Sequence, residues 1–118
     1  MTDTINERRA RLVSRFPHWT PRSLGEWIDY CAEQYADRPF VITDDTSFTY
    51  AEISSWSARL ADGLVALGVK PGDHVGILMA NYAEFVPVKF AVARAGAVAV
   101  PMNFLYREAE LEYVLGQA

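Results

Sequence analysis

One cysteine, Cys31, and two histidines, His18 and His74, are all that the 118 residues contain of those types, and the shortage excludes two chemistries. A lone thiol cannot close an internal disulfide, which suits a reducing compartment such as the cytoplasm. The histidines fall in different stretches with no Cys/His/carboxylate spacing around either, so a metal site has no support. Site signatures are missing too: no G-x-G-x-x-G or G-x-x-x-x-G-K-[ST] nucleotide loop, no G-x-S-x-G elbow and no helical H-E-x-x-H pair occurs. Positive charge is in deficit, with a formal net charge of −4 and a pI near 5.1, which argues against nucleic acid as a partner. The longest apolar run, residues 85–100, is broken by Pro87, Lys89, Arg94 and Gly96, so no membrane span is expected. There is no internal repeat, low-complexity tract or Gly/Ser linker, and one compact unit is the reading.

What is present is enough for a core: 51% of residues are hydrophobic and 13% aromatic. The charge is unevenly laid out. Five of the eleven basic residues (Arg8, Arg9, Arg11, Arg15, Arg22) and only two acids (Asp3, Glu7) lie in the first 22 positions. Residues 1–19 show no sustained period, and 1–22 read as a solvated N-terminal arm rather than a targeting signal. Within it, 16–21 reads as an ordered lead-in whose aromatics cover the helix that follows.

That helix begins at Ser23, which has capping-box spacing with Glu26; Leu24, Trp27, Ile28, Cys31 and Tyr35 follow on one face. Asp37-Arg38-Pro39 ends it. Phe40–Thr43 and Ser47–Thr49 flank the polar Asp44-Asp45-Thr46 as a β-hairpin. Thr49 with Glu52 repeats the capping box and opens a helix carrying Ile53, Trp56, Leu60, Leu64 and Leu67 inward until Gly68 stops it. Lys70-Pro71-Gly72-Asp73 fits a type II turn. His74–Ala80 reads as a strand covered on both faces. Asn81 and Glu84 give the capping spacing a third time, but Pro87 requires the next helix to start later than Tyr82 or to kink. Gly96 stops it, and Ala97–Pro101 is a second buried strand. Strand, helix and strand imply a right-handed parallel crossover. Arg107–Leu115 closes the chain as a helix with Leu111, Val114 and Leu115 inward, and Glu108, Glu110 and Glu112 on a solvated face near its start. The fold class is α/β: helices around a largely parallel sheet, with an N-terminal β-hairpin. Cys31 reads as a small buried hydrophobe, and no catalytic constellation emerges from the residues themselves.

Four stretches, in order, carry a resemblance: Phe48–Ile53, Leu67–Val75, Asn81 with Phe85, and Ala95–Asn103. Together they resemble the N-terminal part of the AMP-forming acyl-CoA synthetases, relatives of adenylation domains and luciferases within the adenylate-forming enzymes. The likeness runs from about Ser23 onward, so residues 23–118 would be the first part of the large AMP-binding domain, an incomplete N-terminal subdomain. The resemblance implies a two-step ligase using ATP, Mg²⁺ and coenzyme A to turn a carboxylic acid into its acyl-CoA, with AMP and pyrophosphate released. The family's phosphate loop, its aromatic-Gly-x-Thr-Glu stretch, its ribose-binding aspartate and its C-terminal lysine have no counterpart in these residues. No catalytic residue is therefore assigned, and the 118 residues alone are expected to be inactive.

By position, Tyr50 and Glu52 match the family's first motif and Gly96 the glycine of its second, all with structural roles. Asn103, Phe104 and Leu105 match a turn that approaches the coenzyme A nucleotide in some members; a plain packing turn is the other reading. Phe104 stands where the family often has proline, and Arg107 where it has a Ser/Thr cap. The competing functional reading is a non-catalytic interaction or oligomerisation module that keeps the ligase's N-terminal fold and self-associates through an exposed sheet edge.

Overall fold

The computed structural model describes residues 2–17 and 20–118; the readings placed on His18 and Trp19 lie outside them. In chain order the elements are α1 (Ile5–Arg15), α2 (Leu24–Tyr35), β1 (Pro39–Ile42), β2 (Ser47–Thr49), α3 (Tyr50–Ala66), β3 (His74–Leu78), α4 (Phe85–Arg94), β4 (Val98–Met102) and α5 (Glu108–Gln117). β1 and β2 form the antiparallel hairpin, with an irregularity between Pro39 and Val41. β3 and β4 pair in parallel, His74 opposite Val98 through Leu78 opposite Met102, with α4 as the crossover.

Both firm capping boxes form as the sequence predicts. The Ser23 and Thr49 hydroxyls accept from the Glu26 and Glu52 amides at 3.2 and 3.1 Å, and the carboxylates accept from the cap amides at 2.6 and 2.7 Å. Each removes two free amides from a helix start. The glycine stops hold as well, with φ of +101° at Gly68 and +74° at Gly96. Gly96 carries a second constraint. A Cβ there would lie 3.3 Å from the Pro71 Cβ, and its carbonyl accepts from the Gly72 amide at 2.9 Å. The Pro71-Gly72 turn therefore sits directly on the end of α4, which sets β3 beside β4.

The core lies between α2, α3 and α4, where Ile28, Ile53, Ser57, Ala61, Pro87, Ala91, Val92 and Ala95 are buried. α4 is the innermost element, as its near-continuous apolar sequence requires. Its start resolves the proline question. The helix begins at Phe85, so Pro87 sits in the first turn, where an amide has no helical partner to lose. Glu84 is the N-cap and makes no side-chain bond, so the third capping box does not form.

Four further expectations are corrected. Residues 5–15 are helical, capped by a Thr4/Glu7 box, although none is buried. The inward line of α3 runs through Ile53, Ser57 and Ala61, and Leu67 is 85% exposed. Small residues at i+4 intervals let α4 approach closely, and the last turn of α3 runs past that contact. β3 is covered on one face only: Val75 and Ile77 are covered while Gly76 and Leu78 are exposed. On α2, Gly25 and Ile28 carry the core contact, whereas Leu24 and Tyr35 are exposed. Leu115 reaches toward Gly76, its Cδ2 3.5 Å from where a Cβ would stand, yet it remains exposed, while Leu111 and Val114 of α5 are half-buried.

Candidate functional site

In a parallel α/β arrangement, ligands collect beyond the carboxyl ends of the strands. Here that end is defined by Leu78 on β3 and Met102 on β4, and the chain leaves β4 into Asn103, Phe104 and Leu105. Asn103 builds the turn. Its side-chain Oδ1 accepts from the Leu105 amide at 3.0 Å, and its backbone carbonyl accepts from the Tyr106 amide at 3.0 Å. This is an Asx turn, in which a short side chain replaces a backbone acceptor. Phe104 and Leu105 then point outward, 50% and 68% exposed. The three residues named from the sequence are thus neighbours on one surface turn, and an apolar, largely uncovered tip is what they present. The helix that follows is only half capped. Glu110 accepts from the Arg107 amide at 3.1 Å, but an arginine side chain offers no oxygen to return the bond.

The motif residues of the hairpin and of α4 do structural work. Tyr50 stacks on Phe40 with centroids 4.5 Å apart, and Phe40 in turn meets Phe90 at 6.1 Å. Phe40 of the hairpin thereby joins the start of α3, through Tyr50, to α4, through Phe90. Phe48 packs against Trp56 at 5.3 Å.

A polar cluster that local sequence patterns do not announce lies at the helix junction. Arg94, in the last turn of α4, donates from Nε to Ser57 Oγ at 2.9 Å, from Nη2 to Asp29 Oδ1 at 2.5 Å and Ser54 Oγ at 3.1 Å, and from Nη1 to Asp29 Oδ2 at 3.3 Å. Ser57, fully buried, donates to the Ser54 carbonyl at 2.9 Å, and Ser54 Oγ donates to Asp29 Oδ1 at 2.9 Å. The guanidinium hydrogen bonds hold the Asp29 carboxyl below its usual range, with the Ser54 hydroxyl assisting and partial desolvation opposing. Among the described residues no buried side-chain nitrogen or oxygen lacks a partner. The cluster holds no nucleophile paired with a free base, so its chemistry is that of a lock between helices. One signal in the sequence does point to it: an arginine inside an otherwise apolar helix must bring a partner with it.

Elsewhere, a shallow depression of about 540 Å³ is lined by Phe48, Ala51, Glu52, Ser55, Trp56 and Arg59. Another of about 400 Å³ lies along α5 at Tyr106, Ala109, Glu110, Tyr113 and Val114. Among the described residues no group of three or more His, Cys, Asp or Glu could hold a metal ion. Among them, too, no helix is long and apolar enough to cross a membrane.

Comparison with known proteins matches residues 28–118 to the family described as AMP-binding enzyme. The chain is 38% identical over 98 residues to YngI of Bacillus subtilis, an acyl-CoA synthetase by name, covering 81% of this chain and 18% of that protein. It is 30% identical over 118 residues to a medium-chain fatty-acid–CoA ligase of Escherichia coli, covering 99% of this chain and 21% of that one. Among solved structures, the N-terminal subdomain of NpsA from Klebsiella oxytoca superposes with a TM-score of 0.78 at 27% identity, over 81% of this chain and 25% of that one. The chain thus spans about a fifth of the length of these two curated relatives.

Proposed function

The chain belongs to the AMP-binding enzyme family, and we propose that it is the opening part of the N-terminal domain of an AMP-forming acyl-CoA ligase. The observation that carries this is the family match running through the α4–β4 junction, in a segment folded as an N-terminal subdomain of adenylate-forming enzymes.

In the proposed reaction a carboxylate oxygen of the substrate attacks the α-phosphorus of Mg²⁺-bound ATP, and the bond to pyrophosphate breaks. The thiol sulfur of coenzyme A then attacks the acyl carbon of the adenylate, and AMP leaves. Residues 23–118 supply scaffold for this, and residues 1–22 precede it as an arm. The Asn103-Phe104-Leu105 turn is assigned to the coenzyme A side of the site. Its apolar tip and its position at the carboxyl end of β4 support that assignment. A place in fatty-acid metabolism in the cytoplasm accords with the names of the relatives and with the single cysteine.

The test uses the protein that carries this segment in full. ATP–pyrophosphate exchange over a panel of aliphatic and aromatic carboxylic acids should identify an exchanging acid, and the 118 residues alone should give none. Absence of exchange with every acid would overturn the ligase reading. Asn103→Ala in the full protein should raise KM for coenzyme A and leave exchange, which needs no coenzyme A, unchanged; an unaltered KM returns the turn to simple packing.

A second reading has one observation in its favour. β3 and β4 pair only with each other among the described residues, leaving an unpaired edge on each side of the parallel pair, and such edges recruit further strands. An interaction module built this way would dimerise, and light scattering showing a monomer across a hundredfold concentration range would exclude it.

A further inference from the structure

The family match begins at residue 28, well after α1, and α1 buries none of its residues. Its sequence is nonetheless patterned. Ile5, Leu12 and Phe16 fall on one side at helical intervals with Val13 beside them, and they are 76%, 58%, 52% and 61% exposed. Arg8 and Arg15 border this strip. Arg9 emerges within it, where a long aliphatic stem can lie along apolar surface while the guanidinium reaches outward. The nearby acids are engaged: Glu7 caps the helix through Thr4, and Asp3 pairs with Arg11. Among the described residues Arg8, Arg9 and Arg15 make no ion pair, although the Arg15 guanidinium lies 5.5 Å from the Phe16 ring centroid.

We propose that α1 lies in the plane of an anionic lipid surface, with Ile5, Leu12, Val13 and Phe16 at the acyl boundary and Arg8, Arg9 and Arg15 on headgroup phosphates. Both ingredients of interfacial binding are present, an apolar strip and a cationic border, in a helix too short to span a bilayer. Charge complementarity selects this occupant. Residues 23–118 carry thirteen acidic residues against six basic ones, so within these 118 residues an anionic surface attracts the arm and repels the remainder. Nucleic acid would satisfy the arginines but leave the apolar strip in water. The inference stands independently of the ligase reading.

The test is co-sedimentation of the full chain with phosphatidylcholine vesicles, with and without phosphatidylglycerol. Binding should require phosphatidylglycerol and fall with salt. Arg8→Gln with Arg15→Gln should weaken it about twenty-five-fold, from about fivefold per arginine, and Leu12→Ser with Phe16→Ser should abolish it. Because α1 buries nothing, both variants should keep the melting temperature of the body, which confirms that the loss is local. No binding to phosphatidylglycerol vesicles, or binding indifferent to either pair of substitutions, overturns the proposal. So does a DNA duplex bound as tightly as the vesicles and still bound by the Leu12→Ser/Phe16→Ser variant.

Discussion

The Arg94 guanidinium reaches the Asp29 carboxylate at 2.5 Å, tying the last turn of α4 to the middle of α2 across 65 residues of chain. The same side chain bonds Ser54 and Ser57 on α3, so one residue joins three helices. The two partners are unequal. Arg94 is 16% exposed and Asp29 53%, which decides where the stability resides.

Replacing Asp29 by Asn should cost no more than about 1 kcal/mol, because a half-exposed ion pair is screened by water. Arg94→Met removes the bonds to both serines as well as the ion pair and should cost about 2–3 kcal/mol. Urea denaturation of the two variants checks the order. Equal losses would mean that the serine contacts contribute nothing. Gly25 belongs to the same locus, since a Cβ there would lie 3.2 Å from the Arg94 Cγ; Gly25→Ala should destabilise by displacing that side chain.

The Asp29 carboxyl is held below its ordinary value of 3.8, chiefly by hydrogen bonds from Arg94. A group whose pKa is lowered by folding stabilises the native state when ionised. Its contribution is therefore complete above the unfolded value and disappears as the pH falls below about 4 through the lowered native value. The stability gap between the wild-type chain and Asp29→Asn should be constant from about pH 5 to 8 and close as the pH falls below about 4. A gap that persists at the acid end would show that the loss comes from packing, not charge.

Local signals are the legible part of this fold. Ser23/Glu26, Thr49/Glu52, Gly68, Pro71-Gly72 and Gly96 each act within a few residues, and each does what its chemistry predicts. The misses have physical causes. Thr4/Glu7 is a capping box of the same kind, but the arginines around it hide the periodicity of Ile5, Leu12 and Phe16. The large residues of α3 suggest one stripe, while the packing line follows Ser57 and Ala61, where small size permits close approach. Arg94 is visible in the sequence only as an interruption, because Asp29, Ser54 and Ser57 come from other helices. As for the candidate site, Asn103 announces a turn, but the exposure of Phe104 and Leu105 depends on tertiary cover that no local pattern encodes.

Three glycines separate conformational strain from crowding. Gly63 is helical, with nothing within 4 Å of the position an added methyl group would take, so Gly63→Ala should stabilise by about 0.5–1 kcal/mol. Gly68 has φ +101° and open space around it, so Gly68→Ala should cost only the left-handed strain, about 1–2 kcal/mol. Gly96 adds Pro71 at 3.3 Å to a φ of +74°, and Gly96→Ala should be the most damaging of the three. Thermal melts of the series test that order, and Gly96→Ala matching Gly68→Ala would show that the Pro71 turn yields freely.

The position of the core makes the sharpest contrast along a single apolar series. Ile53 is fully buried and Leu67 is 85% exposed, although both are aliphatic residues read along α3 and its C-cap. Ile53→Ala should cost about 2–5 kcal/mol, the lost transfer energy plus a cavity that α4 cannot collapse into. Leu67→Ala should change stability by less than about 0.5 kcal/mol. Leu60, half-buried between these extremes, should lose more than Leu67 and less than Ile53 when each is changed to Asp, since the charge at 60 can reach water. Should Leu67→Ala cost as much as Ile53→Ala in denaturant melts, the end of α3 would have to be covered in solution, and a second copy or a further segment would be the cover.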